Sequence, residues 1–277
     1  MQQKSILITG CSSGIGHDAA LGMRERGWRV FASCRKEADC QMMRELGFES
    51  PRIDYQDGDS IRDGLGEVLA ATGGTLDAVF NNGAFGLPGA VEDLPVEGLR
   101  EIFDANFFGW HDLTRQIIPV MRTQGYGRIV MNSSVLGFLP FHWRASYVAT
   151  KYALEGYSDV LRLELSPANI QVILIEPGPI PSNIRANSIP HFEKWIDWEN
   201  SALSEFYRKS LIKRLYAGKQ KPDPFELPAS AVTDKLALAL ESERPRARYR
   251  VTRLTQIAWI AKRLLPTRTM DYLISRR

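Results

Sequence analysis

Cysteine is scarce in this chain of 277 residues, and the three present, Cys11, Cys34 and Cys40, are odd in number and crowded near the N-terminus. None sits in Cys-x-x-Cys or beside a histidine, which excludes a disulfide scaffold and a zinc module and fits a reducing cytoplasm. The four histidines, His17, His111, His142 and His191, also lack ligand spacing, so no metal is expected. All four read as structural, although His142 stands between Ser134 and Tyr147, where it can border a pocket. No apolar run is long enough to span a bilayer, and Gln2, Gln3 and Lys4 lead directly into a short strand-like stretch, so neither a signal peptide nor a membrane span is expected. Internal repeats, low-complexity tracts and linkers are missing too, which leaves one domain, 1–277.

What is present is enough apolar material for a core, 44% of the chain, and an uneven charge. The total is +3, but from Arg244 onward ten Arg or Lys face Asp271 alone. The charge is confined to one end and no binding motif accompanies it, which argues against a nucleic-acid partner.

Residues 5–9 are apolar and β-prone and run into Gly10-Cys11-Ser12-Ser13-Gly14-Ile15-Gly16, followed by a helical stretch at 18–26 closed by Gly27. Strand, glycine loop and helix in succession form a nucleotide-pyrophosphate site. Gly10 allows the tight turn, Gly14 lets the backbone approach the phosphates, and Gly16 lets helix and strand lie close. A second strand, 28–33, ends at Cys34-Arg35-Lys36. A carboxylate there would accept from the adenosine 2′-hydroxyl; Arg35 and Lys36 instead suit a 2′-phosphate, which predicts NADP(H) over NAD(H). Ser13 adds a hydroxyl beside Gly14.

Residues 51–55 read as a third strand whose Asp54 accepts from the adenine amino group, and Asp57 and Asp59 as caps of the following helix. A fourth strand, 76–80, delivers Asn81-Asn82-Gly83-Ala84, small enough for a cofactor to lie against the backbone. A fifth strand follows Gly125-Tyr126-Gly127. The sixth, 170–175, leads into Glu176-Pro177-Gly178-Pro179-Ile180-Pro181-Ser182, a loop shaped by its prolines. A helix at 229–240 and a short strand at 249–251 follow. This alternation predicts an α/β chain, a single-domain Rossmann-type doubly wound parallel sheet with ligands at the strand C-termini. Residues 183–228 read as a helical substrate lid whose Trp195, Trp198, Phe206 and Tyr207 either line an apolar pocket or anchor short helices.

Within Ser146-Tyr147-Val148-Ala149-Thr150-Lys151, Tyr147 and Lys151 share a helix face. A free phenol has a pKa of roughly 10, and an adjacent ammonium favours the phenolate, which makes Tyr147 a usable acid or base. The strand before it ends in Ser133 and Ser134, hydroxyls able to hold a substrate oxygen. Asn106, inside the apolar-periodic helix 97–122, marks either a satisfied buried amide or a kink that places a water beside Lys151.

Thr9-Gly10-x-x-x-Gly14-x-Gly16, Asn81-Asn82-Gly83-Ala84, Asn106, Ser134, Tyr147-x-x-x-Lys151 and Pro177-Gly178 together resemble the short-chain dehydrogenase/reductase family over residues 4–252. Cys34-Arg35-Lys36, the phrase from Ile175 to Ile180 and the basic tail look most like its NADP-dependent branch, which acts on aldehydes, retinoids and steroids. The resemblance implies that Tyr147 is the acid/base, Lys151 its pKa modulator and ribose ligand, Ser134 the substrate-oxygen donor and Asn106 the anchor of a proton relay. It makes Ser134 preferable to Ser133, because Ser134 stands thirteen positions before Tyr147. It extends the cofactor site to Ser12, Ile15, Pro177, Gly178, Ile180 and Ser182, the last standing where the family often has a threonine against the nicotinamide carboxamide. The family usually reads Asn-Asn-Ala-Gly; here Gly83 and Ala84 are exchanged. Dimers or tetramers through the helices carrying Asn106 and Tyr147 are implied as well.

The tail, 254–273, reads as one basic amphipathic helix. Such a helix lies on an anionic membrane, or packs on the body or a second subunit. Of two non-catalytic readings, an NADP-sensing module is weakened by the presence of both Tyr147 and Lys151, while a partner-binding scaffold would show tight partner binding unaffected by Tyr147→Phe.

Overall fold

The computed structural model describes residues 3–216, 223 and 225–275. Its six strands are β1 (Ser5–Thr9), β2 (Arg29–Ser33), β3 (Ala78–Asn81), β4 (Gly127–Asn132), β5 (Ile170–Glu176) and β6 (Arg248–Arg250). They run parallel in the order β2-β1-β3-β4-β5-β6. The winding reverses between β1 and β3, so the C-terminal ends of these two strands open a crevice.

The helices are α1 (Gly14–Glu25), α2 (Glu37–Glu45), α3 (Gly58–Thr72), α4 (Val96–Phe103), α5 (Gly109–Gln124), α6 (Ala145–Leu165), α7 (Ile184–Trp195), α8 (Ser204–Phe206), α9 (Lys213–Tyr216), α10 (Ser230–Glu241), α11 (Arg253–Leu264) and α12 (Thr267–Ser275). On one face of the sheet, Met23 of α1 and Leu236 of α10 bury against Ile6, Ile8 and Ile173. On the other, Leu65 of α3, Ile117 of α5 and Leu161 of α6 bury against Leu7 and Ile129. Every residue of β1 and β3 is buried, as expected of a parallel sheet covered on both sides. A third cluster joins Phe85, Leu87 and Ile102 to Phe192, Tyr207 and Leu211 of the segment after β5.

Several sequence expectations are corrected. Residues 51–55 form no strand: the chain there meets β2 only through single bridges, Phe31 to Glu49 and Cys34 to Arg52. Pro51 has no amide to donate, so the ladder cannot continue. Helix α1 begins at Gly14, not Asp18, so glycine loop and helix N-terminus overlap. The interruption at Asn106 is a π turn, Asp104–Phe108, between α4 and α5. The tail is two helices, because Leu265 before Pro266 is extended (φ −96°, ψ 141°). Residues 217–222 and 224 of the expected lid lie outside the described residues; the described part forms α7, α8, a π turn (Tyr207–Ile212) and α9.

Candidate active site

Thr9 ends β1, and Gly10 turns the chain with φ 70°. A Cβ on Gly10 would lie 2.7 Å from Gly83 Cα, and one on Gly16 would lie 2.3 Å from the Gly10 carbonyl oxygen. Neither distance is tolerable, so both positions require glycine. Ser13 caps α1 by position but makes no side-chain cap hydrogen bond, which leaves the first amides of the helix to a ligand. A Cβ on Gly14 would come within 3.3 Å of the Ser182 Cβ, so the proline-rich loop lies across the glycine turn. Ile15 and Ile180 pack on the same core cluster. The glycine turn with Ile15, Ile180 and Ser182 is thus brought together, with Ser12 and Ser13 in the turn itself. This cradle, with its free helix amides, fits the diphosphate of a dinucleotide.

Two asparagines absent from the expected site tie it together. Asn82 Nδ2 donates to the Thr9 carbonyl (2.9 Å) and lies 3.4 Å from that of Gly10, while its Oδ1 accepts from Asn132 Nδ2 at 2.7 Å. Asn132 in turn offers its carbonyl to Lys151 Nζ at 2.7 Å. Only the Asn-Asn pair in the β3 motif hinted at this bracket. The Asn81 side chain is wholly buried, accepts from Tyr55 Oη (2.7 Å) and faces Thr114, so it braces the crevice wall. The exchanged Gly83 and Ala84 leave the wall intact. A Cβ on Gly83 would meet Tyr55 at 3.4 Å, an ordinary contact, and Trp110 Nε1 holds the Gly83 carbonyl at 2.8 Å.

Arg35 and Lys36 are exposed at the end of β2, and the Arg35 guanidinium has no partner among the described residues. Asp54 spends one oxygen on the Gln56 amide at 3.1 Å. Asp57 caps α3 through the amides of Asp59 and Ser60; Asp59 is a first-turn residue, not a cap.

Tyr147 lies in the first turns of α6 and packs on the cluster shared with α7 and Tyr207. Lys151 is buried, with Nζ 4.3 Å from the Trp110 ring centroid and 5.5 Å from that of Tyr147. The expected acidification of the phenol is not found. Burial pushes Tyr147 up to about 12, only partly offset by Arg144, and pushes Lys151 down to about 7 against the pull of Glu155. Desolvation is the largest cause for both groups.

Ser134 Oγ accepts from the Leu136 amide at 3.1 Å, which leaves its proton free to donate. Ser133 is buried and donates to Glu155 at 2.5 Å, so its proton is already engaged. Both polar ends of Asn106 are engaged by the Phe85 backbone, 3.1 Å from its amide and 2.9 Å from its carbonyl. Any contribution of Asn106 to a relay therefore comes from its backbone at the π turn. Trp195, pinned to Glu101 through Nε1 (2.9 Å), and Tyr207, whose oxygen accepts from the Ala90 amide (2.7 Å), are anchors of the lid segment. His191 is held by Glu101 at 2.7 Å, His17 by the Cys11 carbonyl and His111 by Tyr157, while His142 is exposed.

A family model described as short chain dehydrogenase matches residues 4–192. Over 279 residues the chain is 39% identical to the uncharacterized oxidoreductase YbbO of Escherichia coli K12, covering 99% of this chain and 95% of that one. It is 30% identical to the 17-beta-hydroxysteroid dehydrogenase type 6 of Bos taurus, covering 100% and 89%. A short-chain dehydrogenase from Streptomyces avermitilis, 28% identical, shares the fold with a TM-score of 0.78 over 94% of this chain and 92% of that one. The chain belongs to the short-chain dehydrogenases/reductases. It is an oxidoreductase that works on CH–OH or C=O groups with a nicotinamide cofactor.

Proposed function

We propose that this protein is an NADP(H)-dependent reductase or dehydrogenase of an apolar carbonyl or alcohol, of aldehyde, retinoid or steroid type. The observation that carries the reading is the continuous hydrogen-bonded bracket from Lys151 through Asn132 and Asn82 to the glycine turn, which locks the Tyr147 helix to the cofactor cradle. The loop from Gly10 to Gly16 holds the diphosphate, Arg35 and Lys36 the 2′-phosphate, and Asp54 the adenine. Gly83, Pro177, Gly178, Ile180 and Ser182 border the nicotinamide half, whose ribose meets Tyr147 and Lys151. The bound nicotinamide supplies or accepts hydride. Tyr147 gives its proton to the carbonyl oxygen, which Ser134 holds by a hydrogen bond, and Lys151, with the Asn106 turn, restores that proton. A phenol held protonated by burial is in the right form to act as the acid in reduction.

Absorbance of NADPH followed against aldehydes and ketosteroids tests this; a panel with no turnover would leave only the silent binding module. Arg35→Glu is expected to raise the KM for NADPH about 10- to 100-fold, as loss of a charge-assisted bond should, while the KM for NADH changes little. Equal effects on both cofactors would remove the 2′-phosphate assignment.

The working location we infer is cytoplasmic, with the tail as a peripheral contact; no helix among the described residues is long and apolar enough to cross a membrane. Ile257, Ile260 and Leu264 on α11 are at least half exposed, beside Lys262 and Arg263, so this face does not pack on the body. We expect the protein to co-float with anionic vesicles at low salt and Ile260→Glu with Leu264→Glu to abolish it; flotation unchanged by the pair would dismiss the tail. Self-association is supported by exposed Val160 and Leu163 on α6 and Phe108 in the π turn.

A further inference from the structure

A serine on a turn can hold a substrate oxygen only if the turn itself is held, because a displacement of about 1 Å at a reacting group costs as much as about 100-fold in rate. Ser134 opens such a turn, the 3-10 segment Val135–Gly137 between β4 and α6. Main-chain bonds tie it to the end of β5: the Ser133 amide donates to the Ile175 carbonyl at 2.8 Å and the Val135 amide to that of Pro177 at 2.7 Å. These bonds do not reach α6, the helix that carries Tyr147 and Lys151.

Side chains of α6 make that second connection. Tyr147, Lys151 and Glu155 follow one another at intervals of four and share a helix face. Lys151 Nζ donates to the Asn132 carbonyl at 2.7 Å, and one turn further on Glu155 Oε1 accepts from the Ser133 hydroxyl at 2.5 Å. Two successive residues at the end of β4 are thus gripped by two successive turns of α6. A hydroxyl-to-carboxylate bond of that length is charge-assisted, roughly twice as strong as a neutral one. The fit is close at Gly137, where a Cβ would lie 2.7 Å from Ser133 Oγ and 3.0 Å from Glu155 Cγ. The other carboxylate oxygen, Glu155 Oε2, accepts from Arg248 Nε at 3.2 Å and from Nη2 at 3.1 Å, and Asp159 holds the same Nη2 at 2.9 Å. Glu155 therefore has one oxygen for the turn and one for β6, and it cannot swing away from Ser133 without breaking its pair with Arg248. Its side chain is only 13% exposed, so water is a poor substitute for either partner.

We propose that Glu155 is a positioning residue for the carbonyl chemistry: by holding the Ser133 hydroxyl it fixes the Ser134 turn against α6 and so sets the separation of the Ser134 and Tyr147 hydroxyls, which must meet on one substrate oxygen. Arg248 orients the carboxylate for that task. This rests on the reading of Ser134 and Tyr147 as the groups that hold and protonate the carbonyl oxygen.

The test starts from Ser133→Ala, which removes one hydroxyl and leaves the pair of Glu155 with Arg248 in place. With decanal or progesterone as the carbonyl probe, kcat is expected to fall about 10- to 100-fold while KM changes less than about threefold, because the loss is one of alignment in the transition state. In a Ser134→Ala background the same change should cost less than about twofold, since no hydroxyl is left to misplace; a general loosening of α6 would cost equally in both backgrounds. Glu155→Gln, which keeps an acceptor for Ser133, should retain more turnover than Glu155→Ala. Amide hydrogen exchange reads the clamp without turnover: in Ser133→Ala the amides of residues 134–137 should exchange about tenfold faster, the worth of one charge-assisted bond, with those of β1 unchanged. Undiminished kcat in Ser133→Ala, an equal loss in both backgrounds, or unchanged exchange in the turn overturns the proposal and leaves the reductase reading standing. Undiminished turnover in Ser134→Ala alone overturns both. If wild type reduces neither probe, the reductase reading alone fails, and the exchange rates still decide the clamp: faster exchange in the turn supports it and unchanged exchange overturns it.

Discussion

Tyr147→Phe is expected to lower kcat for carbonyl reduction by about a hundred- to ten-thousand-fold, the usual worth of a positioned general acid, while NADPH binding weakens about tenfold at most, since no more than one ribose hydrogen bond is lost. The ring remains, so packing on the lid cluster beside Phe192 and Tyr207 is kept and the fold is unaffected. Ser134 still holds the substrate oxygen but is a poor proton source without a partner base. Initial rates and NADPH fluorescence titration on the same preparation separate the two effects. A variant with near-wild-type turnover would remove Tyr147 from the chemistry and direct attention to Ser134 or a bound water.

Arg248→Ala is expected to cost about 3–5 kcal/mol of folding stability, the usual cost of breaking a buried ion pair by removing one partner. Arg248 lies 3.1 Å from Glu155 and from Glu176 and 2.9 Å from Asp159, and Glu176 is almost wholly buried. Arg250 offsets the loss only in part: its Nε lies 3.0 Å from Glu176 Oε2 but without the alignment of a hydrogen bond. The pH dependence has a definite sign. Burial, then repulsion from Glu155, raises Glu176 to about 7, and burial raises Glu155 as well. Between the unfolded carboxyl pKa of roughly 4.3 and about 7, the native state keeps a proton that the unfolded chain has released. That contribution is complete in acid and is lost as pH climbs to 7. Urea unfolding at pH 5 and pH 8 should therefore show wild type losing stability toward pH 8, Arg248→Ala losing more, and Glu176→Gln losing least. A penalty for Arg248→Ala below about 1 kcal/mol, well under the cost of an uncompensated buried charge, would show that water reaches the cluster.

The same cluster reaches the reacting groups. Glu155 accepts from Ser133, the neighbour of Ser134, and joins it through Arg248 to β6. The C-terminal segment supports the site from the other side: Thr252 lies against Gly178, where a Cβ would come within 2.1 Å of its hydroxyl.

The sequence by itself determined what depends on neighbours a few residues apart. The obligate glycines at 10 and 16, the shared face of Tyr147 and Lys151, the order of strands and helices and the basic pair after β2 are all short-range patterns, and local sterics and periodicity enforce them. The loss of the strand at 51–55 and the break at Pro266 are equally local, both consequences of a proline. Tertiary structure alone decided which polar groups lose water and which charges meet. Glu155 and Arg248 are 93 positions apart, and Asn82 and Asn132 are 50 apart. The burial of Lys151 and the bracket that holds it therefore have no local signature. Desolvation and Coulomb energy depend on distance in space, and only the closed fold defines that distance.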